Sequence, residues 1–301
     1  MRKCGIIDMG SNTVRLSVYS VEDDNIQLLM NRKVMAGLAS YVKKGCLTRP
    51  GIQMACVTLE SYKTLLKNLD IDEYYAFATA SLRNIDNTDE AVNEISTRTG
   101  VHVDVISGED EGRLSLKGAI ANTTCTDGLL IDLGGGSTEI VPFENREAVS
   151  LYSLHAGSLT LYKKFVENIF PTKQERRSIR ECYEALIEEN EIIIPQVSAI
   201  CGVGGSVRAI AKLLDYAEGR EKASSSFTAE ELDLLYKHIK GGGREANELI
   251  LHATPDRLHT IIPGMIAVRV IMKKAACRKI IVSRTGVREG YLYSRVLGRQ
   301  A

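Results

Sequence analysis

The segment that most constrains the fold runs from an apolar stretch into three consecutive glycines, and it reads Leu129-Leu130-Ile131-Asp132-Leu133-Gly134-Gly135-Gly136-Ser137-Thr138-Glu139. An apolar run that ends at a turn signal predicts a buried strand. Three glycines permit a backbone path closed to residues with a Cβ, so that amide groups converge on an anion. Asp132, at the end of the strand, is placed to hold a divalent cation directly or through water. The alternative is a tight glycine hairpin that binds nothing.

A near-copy of this segment opens the chain, and it reads Cys4-Gly5-Ile6-Ile7-Asp8-Met9-Gly10-Ser11-Asn12-Thr13. Asp8 and Asp132 lie 124 residues apart, which is about one domain length. Each copy leads into another strand-like run, at 14–19 and at 140–143. Two such hairpins one domain apart predict duplicated halves that face one another across a cleft.

The composition is that of a globular protein, with 301 residues, 44% hydrophobic and 25% charged. The length allows two domains, each with its own core. We expect no membrane association and no secretory signal, and the seven cysteines show no metal-binding spacing, so the expected location is the cytoplasm. The net charge of zero argues against nucleic acid as a partner. A polyanionic substrate would need a local basic cluster.

The rest of the first half predicts a strand at 26–35, helices at 52–69 and 89–99, and strands at 74–78 and 101–106. Arg83 follows the strand at 74–78, on the edge where open α/β sheets bind ligands. Its guanidinium is suited to clamping a phosphate, and a surface ion pair is the alternative.

The segment that begins at Ser107 starts a helix with three acidic residues, Glu109, Asp110 and Glu111. Acidic residues in the first turn of a helix complement its dipole, which is the simpler explanation. The functional alternative needs one carboxylate in the cleft as a general base. Spacing alone does not choose among the three.

The second half predicts a strand at 147–155, helices at 159–166 and 172–190, and a strand at 197–201 that ends in a third glycine loop before a helix at 207–214. Gly204, Gly205 and Ser206 of this loop suit an anion contact at a helix N-terminus, although close strand–helix packing explains them equally well. The basic residues around Gly241-Gly242-Gly243 favour a solvated surface over an anion site. A final strand at 279–282 leads to a closing helix with Arg288 near its start.

Nucleophilic catalysis through a side chain has little support in the sequence. None of the five histidines forms a metal pair at helical spacing, and no Gly-x-Ser-x-Gly motif occurs.

Taken together, these segments resemble the exopolyphosphatase and guanosine pentaphosphate phosphatase family. The resemblance covers most of the chain and rests on the joint order of the motifs. The matching residues are Asp8 to Leu16, Ala78-Thr79 with Arg83 and Asn87, Ser107-Gly108 with Glu111 and Arg113-Leu114, Asp132 to Glu139, Gly202 to Ser206, and Gly286 to Gly290.

The resemblance implies an α/β fold of two ribonuclease-H-like domains, of the actin and sugar-kinase superfamily, on either side of a cleft. We expect the N-terminal domain to cover residues 1–122 and the C-terminal domain residues 123–301, with the last helix able to pack back on the first domain.

The resemblance also implies roles for individual residues. Glu111 becomes the catalytic base, and Asp132, Glu139 and Asp8 become the acidic groups that hold Mg²⁺ or another divalent cation. Segments expected to hold phosphate contain Ser11, Asn12, Thr13, Arg15, Arg83, Gly134, Gly135, Gly136, Ser137 and Thr138. Further anion contacts are expected from Gly204, Gly205, Ser206 and Arg288.

The implied function is an exopolyphosphatase that hydrolyses the terminal phosphoanhydride of inorganic polyphosphate. Guanosine pentaphosphate is the alternative substrate, and guanosine tetraphosphate is a further candidate ligand. A regulatory alarmone-binding protein with little turnover and a sugar-kinase-like phosphotransferase are the competing classes. The sequence leaves open whether the chain forms a homodimer.

Three departures from the family pattern qualify these expectations. Gly112 stands where alanine is more usual, and Leu258 and His259 replace the usual Ala and Asp. The chain also lacks the C-terminal helical domain of the family's long members, which favours short chains or a guanosine pentaphosphate tail over processive action.

Overall fold

The computed structural model describes residues 2–22, 25–121, 123 and 125–298, and these fall into two compact units, 1–108 and 109–301. The division follows Gly108, whereas the sequence-based boundary lay at residue 122. The helix between these two positions belongs to the second unit, because it packs on the elements that follow it. Two mixed α/β units confirm the predicted fold class.

The first unit is built on a five-stranded sheet with the strand order β3-β2-β1-β6-β7, in which β1, β6 and β7 run parallel and β2 and β3 run antiparallel. The apolar face of this sheet packs on the two long helices. The elements are β1 (Arg2–Met9), β2 (Val14–Glu22), β3 (Asn25–Val34), a 3₁₀ turn (Leu38–Tyr41), β4 (Val42–Lys43), β5 (Cys46–Leu47), α1 (Arg49–Asn68), β6 (Tyr74–Ala78), α2 (Ala80–Arg83), α3 (Thr88–Thr99) and β7 (Val103–Val105).

The second unit repeats this plan around a seven-stranded sheet with the order β10-β9-β8-β12-β14-β13 and β11 paired to β9. Its elements are α4 (Gly108–Ile120), β8 (Gly128–Leu133), β9 (Thr138–Glu144), β10 (Glu147–Ala148), β11 (Tyr152–Leu154), α5 (Ser158–Phe165), α6 (Lys173–Glu189), β12 (Ala199–Val203), α7 (Gly204–Ala217), β13 (Ser226–Thr228), α8 (Ala229–Ile239), α9 (Arg244–Ala253), a 3₁₀ turn (Pro255–Arg257), α10 (Ile261–Lys274), β14 (Lys279–Val282), α11 (Val287–Tyr291) and a π turn (Leu292–Val296).

Several element boundaries differ from the expected ones for local reasons. The single strand expected at 147–155 is two short strands, β10 and β11, which pair with different parts of β9. The helix expected from residue 207 begins at Gly204, so the end of the third glycine loop is the first turn of α7. Gly204 has a φ of +93°, which glycine adopts at little cost.

The last helix packs on α4, and glycines make the contact. A Cβ on Gly118 would lie 1.9 Å from the carbonyl oxygen of Gly286, and a Cβ on Gly290 would lie 1.8 Å from that of Leu114. Only residues without a side chain allow the two backbones to approach so closely. The last helix therefore does pack on a helix that the sequence had assigned to the first domain, but that helix belongs to the second unit.

The surface features agree with a globular chain. In the described part of the chain, no helix combines the length and the apolar character needed to cross a bilayer. The cysteines are all free thiols, and burial raises the pKa of Cys4 and of Cys201 to about 12 in each case.

The close contact between α4 and α11 predicts a stability difference between two glycine substitutions in one helix. We expect Gly118→Ala to lower the free energy of unfolding by about 2–4 kcal/mol, because the new methyl group meets backbone that cannot move away. Gly112→Ala is the matched control, since its Cβ would lie 3.1 Å from the Val141 Cγ2 atom. At Gly112 the clash is small, and the higher helix propensity of alanine offsets it. The free energy of unfolding of this variant should therefore stay within about 1 kcal/mol of the wild-type value. Urea unfolding of both variants measures the difference, and equal effects would contradict the packing described.

Candidate functional site

The two glycine hairpins have the same construction. In the first, the Gly10 amide donates to the Thr13 carbonyl at 3.0 Å, and in the second the Gly134 amide donates to the Ser137 carbonyl, also at 3.0 Å. Each hairpin joins two antiparallel strands, β1 to β2 and β8 to β9. The duplication inferred from the sequence is therefore present in the backbone itself.

In both hairpins, the carbonyl oxygens are occupied by a later segment of the chain. Amides at the start of α5 donate to the carbonyls of Gly134 and Gly135 at 2.9–3.0 Å. In the first hairpin, the amides of Gly37 and Ala39 donate to the carbonyls of Asn12 and Ser11 at 2.9 Å. Because the carbonyls are taken, the hairpin amides are the groups left to meet a ligand. Within the described ranges, no hydrogen bond to protein is made by the amides of Gly135 and Gly136.

The backbone of the glycine triplet is not left-handed. None of Gly134, Gly135 and Gly136 has a positive φ, so a left-handed conformation does not account for the three glycines. The tight packing lies at Gly157, where a Cβ would approach the Gly135 carbonyl carbon and oxygen to 2.4 Å. The hairpin lies flat against the first turn of α5.

The strand register sets the chemistry at each hairpin. In the first unit, Asp8 of β1 lies opposite Arg15 of β2, and in the second Asp132 of β8 lies opposite Glu139 of β9. Residues directly opposite in an antiparallel pair have side chains on the same face, with Cβ atoms ~5 Å apart. The first hairpin thus carries an acid–base pair, and the second carries two carboxylates.

Both carboxylates of the second pair are buried, Asp132 at 7% exposure and Glu139 at 1%. The Ser115 hydroxyl donates to Asp132, and the Ser153 hydroxyl donates to Glu139 Oε1 at 2.8 Å. Burial, followed by the charges of Glu111 and Asp132, raises the pKa of Glu139 well above its usual range. Burial also raises the pKa of Asp132, against the Ser115 hydrogen bond and the positive charges of Arg208 and Arg288.

Glu111 belongs to this group of side chains. It lies in the first turn of α4, is 8% exposed, and is close enough to Glu139 for its charge to affect that pKa. Glu109, in the same turn, is exposed. Asp110 forms ion pairs with Arg113 at 3.0 Å and Arg295 at 3.5 Å. The surroundings of the three acids therefore differ in the structure, and only Glu111 is buried beside the carboxylate pair. Sequence spacing alone did not distinguish them.

The third glycine loop approaches the same carboxylate. A Cβ on Gly204 would lie 2.6 Å from Asp132 Oδ1 and 2.5 Å from the Leu133 carbonyl oxygen. Gly205 lies against Arg257, because a Cβ on Gly205 would be 2.3 Å from the Nη2 atom of Arg257. The hydroxyl of Ser206 donates to Ser158 at 3.1 Å, which ties α7 to α5.

The structure places the predicted site residues in two groups. The second unit brings together Glu111, Asp132, Glu139, the glycine hairpin, Gly204 and Arg288. The first unit holds the hairpin residues Ser11, Asn12 and Thr13 together with Asp8, Arg15 and Arg83. The Nη1 atom of Arg83 donates to the Ile106 carbonyl at 3.2 Å. The buried Nδ2 atom of Asn12 has no hydrogen-bond acceptor among the residues described. The roles of these residues remain predictions.

Sequence reasoning missed three residues around the carboxylates, namely Ser115, Ser153 and Arg208. Ser115 follows Glu111 by four positions, so helical spacing could have placed it on the same face. Ser153 lies opposite Glu139 in β11, and Arg208 is in the second turn of α7. These two residues carry no local signal, because long-range packing brings them to the site.

The comparison with known proteins identifies the family. The sequence model of the Ppx/GppA phosphatase family matches residues 17–299. The chain belongs to the Ppx/GppA phosphatase family. It is therefore a phosphatase, that is, a hydrolase of phosphate substrates, and the resemblance stated from the sequence is confirmed.

Solved structures of Ppx/GppA proteins share the fold over their full length. An exopolyphosphatase from Cytophaga hutchinsonii matches with a TM-score of 0.88 and 21% identity, and the match covers 99% of each chain. The Ppx/GppA family member from Aquifex aeolicus matches with a TM-score of 0.80 and 25% identity over 99% of this chain and 98% of the other. An exopolyphosphatase-like protein matches with a TM-score of 0.85 and 21% identity over 98% of each chain.

The carboxylate pair fits a magnesium ion that is completed by substrate. No group of three or more His, Cys, Asp and Glu side chains in the described ranges could hold a metal by itself. Mg²⁺ is commonly bound by one or two carboxylates together with water and substrate phosphate oxygens. Asp132 and Glu139 supply the two carboxylates, and burial raises the pKa of both, so a bound cation would favour their ionised forms.

This electrostatic arrangement predicts how stability changes with pH in metal-free buffer. Because the folded pKa values of Asp132 and Glu139 are raised, their contribution to stability is complete below the unfolded carboxyl pKa of ~4 and is lost as the pH rises through the folded values. We expect the free energy of unfolding in EDTA to fall as the pH rises above the unfolded carboxyl pKa, and Glu139→Gln to reduce the slope. Glu144→Gln, at an exposed position of the same strand, is the control. An unchanged slope in the Glu139 variant would contradict the burial described.

Proposed function

We propose that this chain hydrolyses the terminal phosphoanhydride bond of inorganic polyphosphate with the help of Mg²⁺ and releases orthophosphate. The observation that carries the proposal is the second hairpin, where two buried carboxylates lie beside amides that have no protein acceptor. Amides of this kind bind phosphate oxygens, and the carboxylates suit a cation that accompanies them. Membership of a phosphatase family and the exopolyphosphatase fold of the Cytophaga hutchinsonii protein support the same substrate class.

In the proposed reaction, Glu111 accepts a proton from the attacking water while the water oxygen bonds to the terminal phosphorus. The anhydride P–O bond breaks opposite to the attack, and the shortened chain leaves with the bridging oxygen. When bound, Mg²⁺ neutralises charge on the phosphate oxygens. No covalent intermediate with the protein is needed.

The other polar groups hold the substrate in this scheme. The amides of Gly135 and Gly136 donate to the terminal phosphate, and Arg208 and Arg288 add positive charge on the side of Asp132. The start of α7 has no side-chain cap, so its first amides are available to a phosphate near Arg257. In the first unit, the corresponding anion contacts are proposed for Arg15, for Arg83 and for the hairpin at 10–13.

The assignment of the base predicts a large effect of one substitution. We expect Glu111→Gln to lower kcat by about 10²–10⁴-fold, because the amide cannot accept the proton of the attacking water. Glu109→Gln, an exposed glutamate in the same helical turn, should leave kcat within about twofold, since it is remote from the carboxylate pair. Phosphate release and thermal melting of both variants are the measurements. Robust hydrolysis by a folded Glu111 variant would show that another group is the base.

The choice of substrate is decided by direct comparison. We expect phosphate release from polyphosphates of defined length to exceed release from guanosine pentaphosphate, and EDTA to abolish both, because the carboxylate pair needs its cation. Faster release from guanosine pentaphosphate would reverse the ranking within the same chemistry. Tight guanosine nucleotide binding without turnover would favour the regulatory alternative, and ATP consumption coupled to an acceptor would favour a phosphotransferase.

A further inference from the structure

Helix α6 has basic side chains near its N-terminus and acidic side chains near its C-terminus, which is the reverse of the distribution that the helix dipole favours. Its basic side chains occupy the N-terminal half and its acidic side chains the C-terminal half, with Glu175 as the exception in the first turn. The helix dipole favours negative charge at the N-terminus and positive charge at the C-terminus. The basic residues are Lys173, Arg176, Arg177 and Arg180, and the acidic ones are Glu181, Glu184, Glu188 and Glu189. A local rule broken without structural gain is a common sign of function.

The basic half of α6 lies beside the C-terminal end of α8. Arg176 makes the connection, because its Nη1 atom donates to the carbonyls of Pro171 at 2.6 Å and of Lys240 at 2.7 Å. Lys237 and the C-cap residue Lys240 lie three positions apart at the end of α8, which is the spacing of neighbours on one helical face. The two helices therefore contribute basic residues to one continuous surface.

Tyr236 marks the middle of this surface. The guanidinium of Arg269 lies over its ring, 4.3 Å from the centroid. Burial raises the pKa of the Tyr236 phenol, and the positive charges of Arg176, Arg269 and Arg180 act against that shift. Three guanidinium groups thus surround one buried ring.

Part of this charge is compensated and part is not. Arg177 pairs with Glu181 and Arg269 with Asp233, both at 2.6 Å. Four further basic side chains form no ion pair with the residues that the structure describes, namely Lys173, Arg180, Lys237 and Lys240. We call these four side chains the α6–α8 basic surface. In a chain of zero net charge, such a local excess produces a positive field at one place.

We propose that the α6–α8 basic surface binds the distal, non-reacting part of a long polyphosphate chain. The proposal rests on the function proposed above and adds a second contact for the same substrate. The Tyr236 ring at this surface is buried beneath Arg269 and is therefore not available for stacking. Single-stranded nucleic acid is bound by charge together with aromatic stacking, so a ligand made only of phosphates fits better.

The same helix connects the surface to the carboxylate pair. Tyr183, on the buried face of α6, has its pKa raised by burial, and Thr138 and Glu139 also act on it. The Tyr183 side chain of α6 therefore lies near β9, the strand that carries Glu139. From Tyr183 to Lys173 the helix rises ~15 Å, a span that tripolyphosphate is too short to bridge. A contribution from the surface should appear only with long chains.

The test compares two triple variants with the same loss of charge. Lys173→Gln, Lys237→Gln and Lys240→Gln together alter the surface, and Lys212→Gln, Lys222→Gln and Arg278→Gln remove three exposed charges elsewhere in the second unit. We expect the first triple to raise KM for long-chain polyphosphate about tenfold, since each exposed ion pair contributes a small factor. Its kinetics with tripolyphosphate should be unchanged, and the control triple should resemble the wild type on both substrates.

A binding measurement keeps this test separate from the proposed function. Equilibrium binding of long-chain polyphosphate, measured in EDTA without turnover, should weaken only in the first triple and should lose part of its salt dependence. This result is expected even if the wild type hydrolyses no polyphosphate, which would overturn only the proposed function. Equal binding by both triples would overturn the proposal, as would tighter binding of a single-stranded RNA of matched charge.

Discussion

The register between β8 and β9 is the constraint on which the rest of the second unit depends. It sets Asp132 opposite Glu139 in a buried position, where two like charges repel one another and burial disfavours both. The surrounding elements reduce this cost. Ser115 from α4 and Ser153 from β11 donate to the two carboxylates, and Arg208 and Arg288 supply positive charge. Helices α4, α7 and α11 are thus positioned by what the pair requires.

Comparison of the two hairpins shows how one backbone design supports two kinds of site. Both use a glycine amide that closes the turn and a later segment that takes up the carbonyls. They differ at the residue opposite the aspartate, which is Arg15 in the first unit and Glu139 in the second. An arginine offers donors to phosphate, whereas a second carboxylate offers a ligand to a cation. One cross-strand position therefore separates the proposed anion contact of the first unit from the proposed cation site of the second.

Features with a local cause could be predicted from the sequence. The duplicated hairpins, the strand at 74–78 and the helix predicted at 89–99 all depend on neighbouring residues, and the structure contains each of them. Features with a distant cause were missed or misread. A glycine is needed at position 157 because a Cβ there would meet the Gly135 carbonyl, and α4 falls in the second unit because it packs on α11. No window of adjacent residues contains that information.

The glycines around the carboxylate pair show why this site could be read from sequence only in part. Gly204 brings the third loop to within van der Waals distance of Asp132, and Gly118 and Gly290 let α4 and α11 touch through their backbones. Each glycine costs conformational entropy, and each helps to place a polar group beside a pair of carboxylates that are themselves unfavourable when unpaired. A site that depends on a ligand for charge balance is less stable without it. In this unit, the close backbone approach and the proposed cation answer the same constraint, which is the burial of Asp132 against Glu139.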